Sequence, residues 1–455
     1  MGMRHARNKN KSSRACIKAK KRIMSSIGTK WRALSGEEEW KGLLDPLDLD
    51  LRRYIIHYGE RVQAVYDAFI GDEKSRNCGL PRYSERHLFS KVGLEKGNPY
   101  EYEVKKYFYA TTDIASCHGF IKKSIFVDPP AGDSNWIGYV AVSTDSGKTV
   151  LGRRDILICW RGTQGTAEWN INKMFDLASA SKILGEVHNP KLHSGWYSLY
   201  TTAQEGSTYN STSCREQVLS EVGKLVKRYK DEEVSITVTG HSLGAALATL
   251  NAVDIVYNGY NIPPGPRTIE PIEHFPVTAF VFAVPRVGDN GFFKVFSNLK
   301  NELHILRINN KPGDIVPYLP LSVPIFFPYV DVGKELIIDT SKSPYLKKPI
   351  LDITLPESIS NAHNLEVYLH GVAGTCGNDG QFILELDRQI ELVNKMSAAL
   401  KDKNNVLDYW WTTENKSMVQ NDNGSWVLMD HESDELVDGE EQDYGPKRRR
   451  LFGVE

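Results

Sequence analysis

The sequence has little cysteine, almost no net charge, no long apolar run and no internal repeat, and each shortage removes a class of protein. Six cysteines occur in 455 residues (Cys16, Cys78, Cys117, Cys159, Cys214 and Cys376), scattered and without a CxxC pair, so neither a disulfide scaffold nor a zinc module is indicated. Cys117 and His118 are adjacent but lack further ligands at metal spacing; no metal and no other cofactor is expected. A formal net charge of −1 supplies no overall field for nucleic acid, and basic runs occur only at the two ends. No stretch approaches the roughly 20 apolar residues of a membrane-spanning helix. The opening MGMRHARNKNKSSRACIKAKKRIMSS also lacks the apolar segment of a secretory signal, and the Gly2 myristoylation pattern fails because Ala6 stands where Ser or Thr is required.

What is present is an ordinary globular balance, 41% hydrophobic and 25% charged, which suffices to bury a large core and argues against wholesale disorder. The composition divides the chain into three: a basic, acid-free extension over residues 1–26, one enlarged α/β domain over 27–432, and a charged tail over 433–455. The extension reads as a solvated tail, since its lysine content fits a transit peptide poorly. The final Pro446-Lys447-Arg448-Arg449-Arg450 reads as a solvated terminus rather than a nuclear signal. The expected compartment is the cytoplasm, with an organelle such as the chloroplast as the alternative that the basic extension leaves open. Oligomeric state leaves no mark on the sequence.

Within the central region, Leu51, Tyr54, Ile55, Tyr58, Val62, Ala64, Val65 and Phe69 recur at helical spacing and predict an N-terminal helical layer. WIGYVAVS (136–143) and RDILICWRG (154–162) are short and β-branched, separated by the turn-like Asp145-Ser146-Gly147, and predict a β-hairpin. Val218, Val222, Leu225 and Val226 define an amphipathic helix over 216–231, followed by the strand VSITVTG and the small-residue helix LGAALATLNAVDIVYN. TAFVFAVPRVG (278–288) and LHILRINN (303–310) supply two more buried strands. Strand and helix alternating in this way predict a largely parallel sheet covered by helices.

The strongest chemical signal is Gly240-His241-Ser242-Leu243-Gly244, a GxSxG lying between a strand and a helix rich in small residues. In that context Ser242 sits on a strained strand-to-helix turn that pushes its hydroxyl out of the sheet, and side chains at 240 and 244 would collide with backbone. The helix N-terminus places a positive dipole end below Ser242, and the amide of Leu243 can donate to an oxyanion. A serine hydroxyl needs a base and an orienting carboxylate, which in this fold follow in the order Ser, acid, His. Asp314, in RINNKPGDIVPYLP just past a buried strand, is the best-placed acid; Asp289, Asp331 and Asp339 compete, and Asp254 lies on the elbow helix behind the nucleophile. His363, in NAHNLEVYLHG, is the best-placed base, with His370 on the same segment as its competitor.

WRALSGEEEWKGLLDPLDLDLRRYIIHYGE, CWRGT, LHSGW, TGHSLGAALATL, FAVPRVGD, NNKPGDIVPYLP, AHNLEVYLHGVAG and DYWWTTENKSMVQNDNGSWVLMDHE follow one another between about Ser26 and His431. In this ordered set the chain resembles the class 3 lipase family of α/β-hydrolases, and within it the plant cytosolic phospholipases A1 of the second class. The resemblance implies Ser242 as nucleophile, Asp314 as acid, His363 as base, and the backbone amides of Thr163 and Leu243 as an oxyanion hole. It also implies a lid over 164–178, in which Trp169, Ile171, Met174, Phe175 and Leu177 could face lipid while Lys173 and Asp176 stay wet; a fixed surface helix is the alternative. The implied activity is hydrolysis of the sn-1 acyl ester of glycerophospholipids met at a membrane or micelle surface. A mono- or diacylglycerol or galactolipid lipase keeps the same triad, and a catalytically silent signalling scaffold is the alternative from another class.

Overall fold

The structure, a computed structural model, describes residues 26–72, 74–111, 134–163, 176–265, 274–311, 313–320, 328–348, 361–376, 381–411 and 418–428. Its frame is a helix α1 (Leu49–Ala68), strands β1 (Tyr102–Ala110), β2 (Asn135–Ser143) and β3 (Arg154–Trp160), helix α2 (Cys214–Arg228), strand β4 (Val234–His241), helix α3 (Leu243–Tyr257), strands β5 (Val277–Phe282), β6 (Leu303–Asn310) and β7 (Lys334–Ile338), and helix α4 (Leu365–Ala373). The seven strands form one sheet whose spatial order is their chain order, β1 to β7. The first two pairings are antiparallel and the remaining four, from β3 to β7, are parallel.

Alternation along the strands divides the core in two, because successive side chains point to opposite faces. Ile156, Ile158, Trp160, Ile236, Val238, Val277, Ala279 and Val281 meet α2 and α3 on one face. Leu157, Cys159, Phe280, Phe282, Leu306 and Ile308 meet α1 and α4 on the other. A sheet covered on both faces must bury its parallel strands completely, and every residue of β3, β4 and β5 is buried. Helix α3 is buried along nearly its whole length, so its sequence is apolar on all sides. On the opposite face α1 and α4 cross closely at Gly59, where a Cβ would stand 2.3 Å from a methyl of Leu369.

This is the α/β-hydrolase arrangement that the sequence led us to expect, with α1 forming the N-terminal layer. One connection differs. Residues 145–151 form a two-turn helix, Asp145–Leu151, capped by the Thr144 side chain and ended by Gly152 at φ 76°. The antiparallel β2–β3 pair is therefore joined by a helical excursion, not by a tight turn at Asp145-Ser146-Gly147. Among the described residues no helix is long and apolar enough to cross a membrane.

Candidate active site

The elbow is set by what stands around its glycines. Strand β4 ends at His241 and α3 begins at Leu243, leaving Ser242 alone to reverse the chain at φ 59° and ψ −127°. That left-handed backbone is costly for a side-chain-bearing residue and persists only where the surroundings enforce it. A Cβ on Gly240 would lie 2.2 Å from the Gly244 carbonyl oxygen, and one on Gly244 would lie 2.4 Å from the Trp160 carbonyl oxygen. The end of β4, the start of α3 and the end of β3 thus approach as only glycine permits. The Ser242 hydroxyl makes no capping bond to α3, which leaves it available for chemistry, and the amides of Leu243 and Gly244 open the helix where no intrahelical partner exists.

The parallel strands present their carboxyl ends to this elbow, the edge at which open α/β sheets build their sites. Asp314 follows β6 by four residues and is 2% exposed; His363 precedes α4 and is 8% exposed. Nδ1 of His363 lies 2.7 Å from Oδ2 of Asp314. A carboxylate only accepts, so Nδ1 carries a proton, and the neutral form of the ring has its lone pair on Nε2. Asp314 also accepts from the Tyr368 hydroxyl at 2.5 Å and from the Val316 amide at 2.9 Å. Three donors compensate the burial of one carboxylate. Among the described residues, the buried Nε2 of His363 has no hydrogen-bond partner, the orphan that a proton acceptor awaiting its donor would be.

Thr163 lies just past β3. The Arg161 guanidinium donates to the Gly162 carbonyl oxygen at 2.8 Å and to that of Trp136 at 3.0 Å, while stacking over Phe69 at 4.0 Å. In a trans peptide the N–H points opposite to the C=O, so this bond directs the Thr163 amide away from Arg161. A Cβ on Gly162 would come within 3.3 Å of the Ser242 Cβ, which sets this turn against the elbow.

The competing residues are occupied elsewhere. Asp254 takes a bidentate pair from Arg215 at 2.7 and 2.9 Å. Asp289 caps the helix Asn290–Ser297 through the Phe292 amide, Asp331 pairs with Arg307 at 3.1 Å, and Asp339 accepts from the Ser341 amide. His370 stacks on Phe382 at 5.1 Å and bonds the Ser343 hydroxyl at 2.8 Å, and burial pushes its imidazole down to about 4. It is a histidine of the core. Sequence reasoning missed Tyr368 and Tyr66. Tyr368 sits five residues past His363 in α4, and a tyrosine in LEVYLHGV was the available signal. Tyr66, at the end of α1, bonds Nδ1 of His241 at 2.8 Å, and nothing local announces so distant a contact.

Of the lid expected over 164–178, residues 164–175, including Trp169, Ile171, Lys173, Met174 and Phe175, lie outside the described residues. At its end, Leu177 and Ala178 belong to a short strand, Leu177–Ser179, in which Leu177 pairs with His193. Among the described residues no group of three or more His, Cys, Asp or Glu side chains is placed to hold a metal ion.

The family model described as lipase (class 3) matches residues 157–323, which take in the end of β3, the elbow and Asp314. Phospholipase A1-IIgamma of Arabidopsis thaliana is 49% identical over 420 residues, 91% of this chain and 96% of its own length. Phospholipase A1-II 6 of Oryza sativa subsp. japonica is 47% identical over 409 residues, 89% of this chain and 96% of its own. At 49% identity over 91% of its length, the chain belongs to the class 3 lipases, in their phospholipase A1-II group.

Proposed function

We propose that the chain is an acylhydrolase that cleaves the sn-1 acyl ester of glycerophospholipids through an acyl-serine intermediate, with Ser242 as nucleophile, His363 as base and Asp314 as the acid that orients it. The observation that carries the chemistry is the buried 2.7 Å His363–Asp314 pair, with Nε2 unpartnered among the described residues, bonded through the His363 carbonyl to the residue before a serine held at φ 59°. The phospholipid substrate is supported by relatives named phospholipase A1-II at 44–49% identity.

Nε2 of His363 takes the Ser242 proton as Oγ bonds to the ester carbonyl carbon, and the carbonyl oxygen becomes an oxyanion facing the Leu243 and Thr163 amides. Asp314 holds the imidazolium that forms. The tetrahedral adduct then expels the glycerol oxygen, which takes the proton from Nε2 and leaves as the lysophospholipid alcohol. Water, deprotonated by the same nitrogen, attacks the acyl-serine, and its collapse releases the fatty acid and returns the proton to Ser242.

A fluorophosphonate probe tests the nucleophile, and a head-group panel tests the substrate. Labelling mapped to Ser242 and absent in Ser242→Ala, with phospholipids hydrolysed faster than diacylglycerol or galactolipid, is expected. No labelling of the wild type would favour a silent scaffold, and faster hydrolysis of the neutral lipids would replace the proposed substrate.

A further inference from the structure

The residue before the nucleophile makes contacts that the reaction above does not use. Nε2 of His241 lies 2.8 Å from the main-chain carbonyl oxygen of His363, and its Nδ1 lies 2.8 Å from the Tyr66 hydroxyl. A carbonyl oxygen only accepts, so Nε2 carries the proton; in a neutral imidazole Nδ1 then accepts, and Tyr66 donates. Burial, followed by the neighbouring His363, holds His241 well below the usual imidazole range and keeps it neutral. The other tautomer would set a lone pair of Nε2 against a lone pair of the carbonyl, so the His363 carbonyl oxygen selects the Nε2–H form and Tyr66 donates to the nitrogen that is left. The His241 and His363 rings are 4.7 Å apart.

We infer that His241 is a positioning residue: it ties the backbone of His363 to the elbow, and Tyr66 holds the imidazole in place through its other nitrogen. The inference rests on His363 being the base. Asp314 orients the His363 ring through Nδ1, but a ring can be well oriented on a backbone that drifts. The nearby tie from the Asn310 side chain to the Ala362 carbonyl is 3.4 Å long. His241 and Ser242 are consecutive, so a bond from His241 to the His363 carbonyl fixes the distance between nucleophile and base through a single peptide unit. Tyr66 carries the same constraint to α1, its hydroxyl filling the space that a Cβ on Gly162 would enter, 2.1 Å away.

The test uses the full chain, a soluble short-chain ester and the variants His241→Gln, His241→Leu, Tyr66→Phe and Ser242→Ala. Glutamine can present an amide N–H at the reach of Nε2; leucine cannot. His241→Leu should lower kcat about a hundredfold, the scale of a small misplacement of a catalytic group. KM should move less than about twofold, since binding of a small ester is not what the bond serves. His241→Gln should recover kcat to within about tenfold of wild type, and Tyr66→Phe should lower it about tenfold by removing the contact that holds the imidazole through Nδ1. Equal loss in His241→Leu and His241→Gln would overturn the inference, because the ring's shape and not its donor would then matter. Should His241→Leu fail to fold, Tyr66→Phe decides: a wild-type kcat overturns the inference, and a lowered kcat at unchanged KM supports it. Turnover retained by Ser242→Ala would defeat the triad itself, whereas a dead Ser242→Ala beside wild-type rates in Tyr66→Phe and His241→Leu defeats only the positioning role.

Discussion

Two histidines seven residues apart show how burial and partners assign different work to the same side chain. His363 faces Asp314 with Nδ1 and leaves Nε2 open, while His370 is closed by Ser343 and Phe382. The local sequence ranked His363 ahead of His370 but kept both open, because both lie on NAHNLEVYLHG and only the third dimension sets one toward β6 and the other into the core. The difference has a pH signature. Burial pushes His370 from 6.5 down to about 4, so between those values the unfolded chain binds a proton that the folded one refuses. Stability then rises with pH across the window and falls as pH drops from about 6.5 toward 4, by about 3 kcal/mol for this residue. Urea midpoints measured from pH 7.5 to 4.5 should decline, and His370→Gln should flatten that decline; parallel curves for the two proteins would contradict the assignment.

The elements most readable in the sequence were those under the tightest packing constraint. Strand LHILRINN coincides with β6, and the elbow's strand and helix lie where the glycines required them. Strand β1 was not read, because register shifts between Val104 and Lys106 and between Phe108 and Tyr109 break the two-residue alternation on which such readings depend. Strand β7 is an edge strand of five residues with two exposed, too short and mixed to announce itself. The helix between β2 and β3 was read as a turn because its seven residues begin with Asp-Ser-Gly, and the cap on Thr144 decides otherwise. Glycine geometry supplies a test at this scale. In Gly244→Ala the new methyl would meet main-chain atoms of Trp160 and Arg161 within 2.8 Å, which cannot move without parting α3 from β3. Its melting temperature should fall by roughly 2–5 °C, taking a loss of a few kcal/mol in a chain of this length. Gly223→Ala, in α2 with nothing within 4 Å, should instead stabilise by about 0.5–1 kcal/mol. A Gly244→Ala protein melting like wild type would show that the close approach at the elbow is not obligatory.

Across the whole molecule, segments remote in sequence brace the face that carries the site. Lys395 pairs with Asp67 at the end of α1, its ammonium 4.2 Å from the Trp411 ring, and the Trp411 indole donates to the Asp67 carbonyl oxygen at 2.9 Å. The late tryptophan-rich stretch thus anchors the helix whose Tyr66 reaches the elbow. That arrangement was visible in the sequence only as an ordered set of resembling motifs, since no local pattern pairs residues more than 300 positions apart. The central claim is that these parts together hydrolyse the sn-1 ester of a phospholipid through Ser242. The most direct measurement offers vesicles of a phosphatidylcholine with palmitate at sn-1 and oleate at sn-2 to the wild type and to Ser242→Ala, and identifies the free fatty acid by mass spectrometry. The account predicts palmitate from the wild type and none above background from Ser242→Ala; oleate as the main product, or palmitate from both proteins, would contradict it.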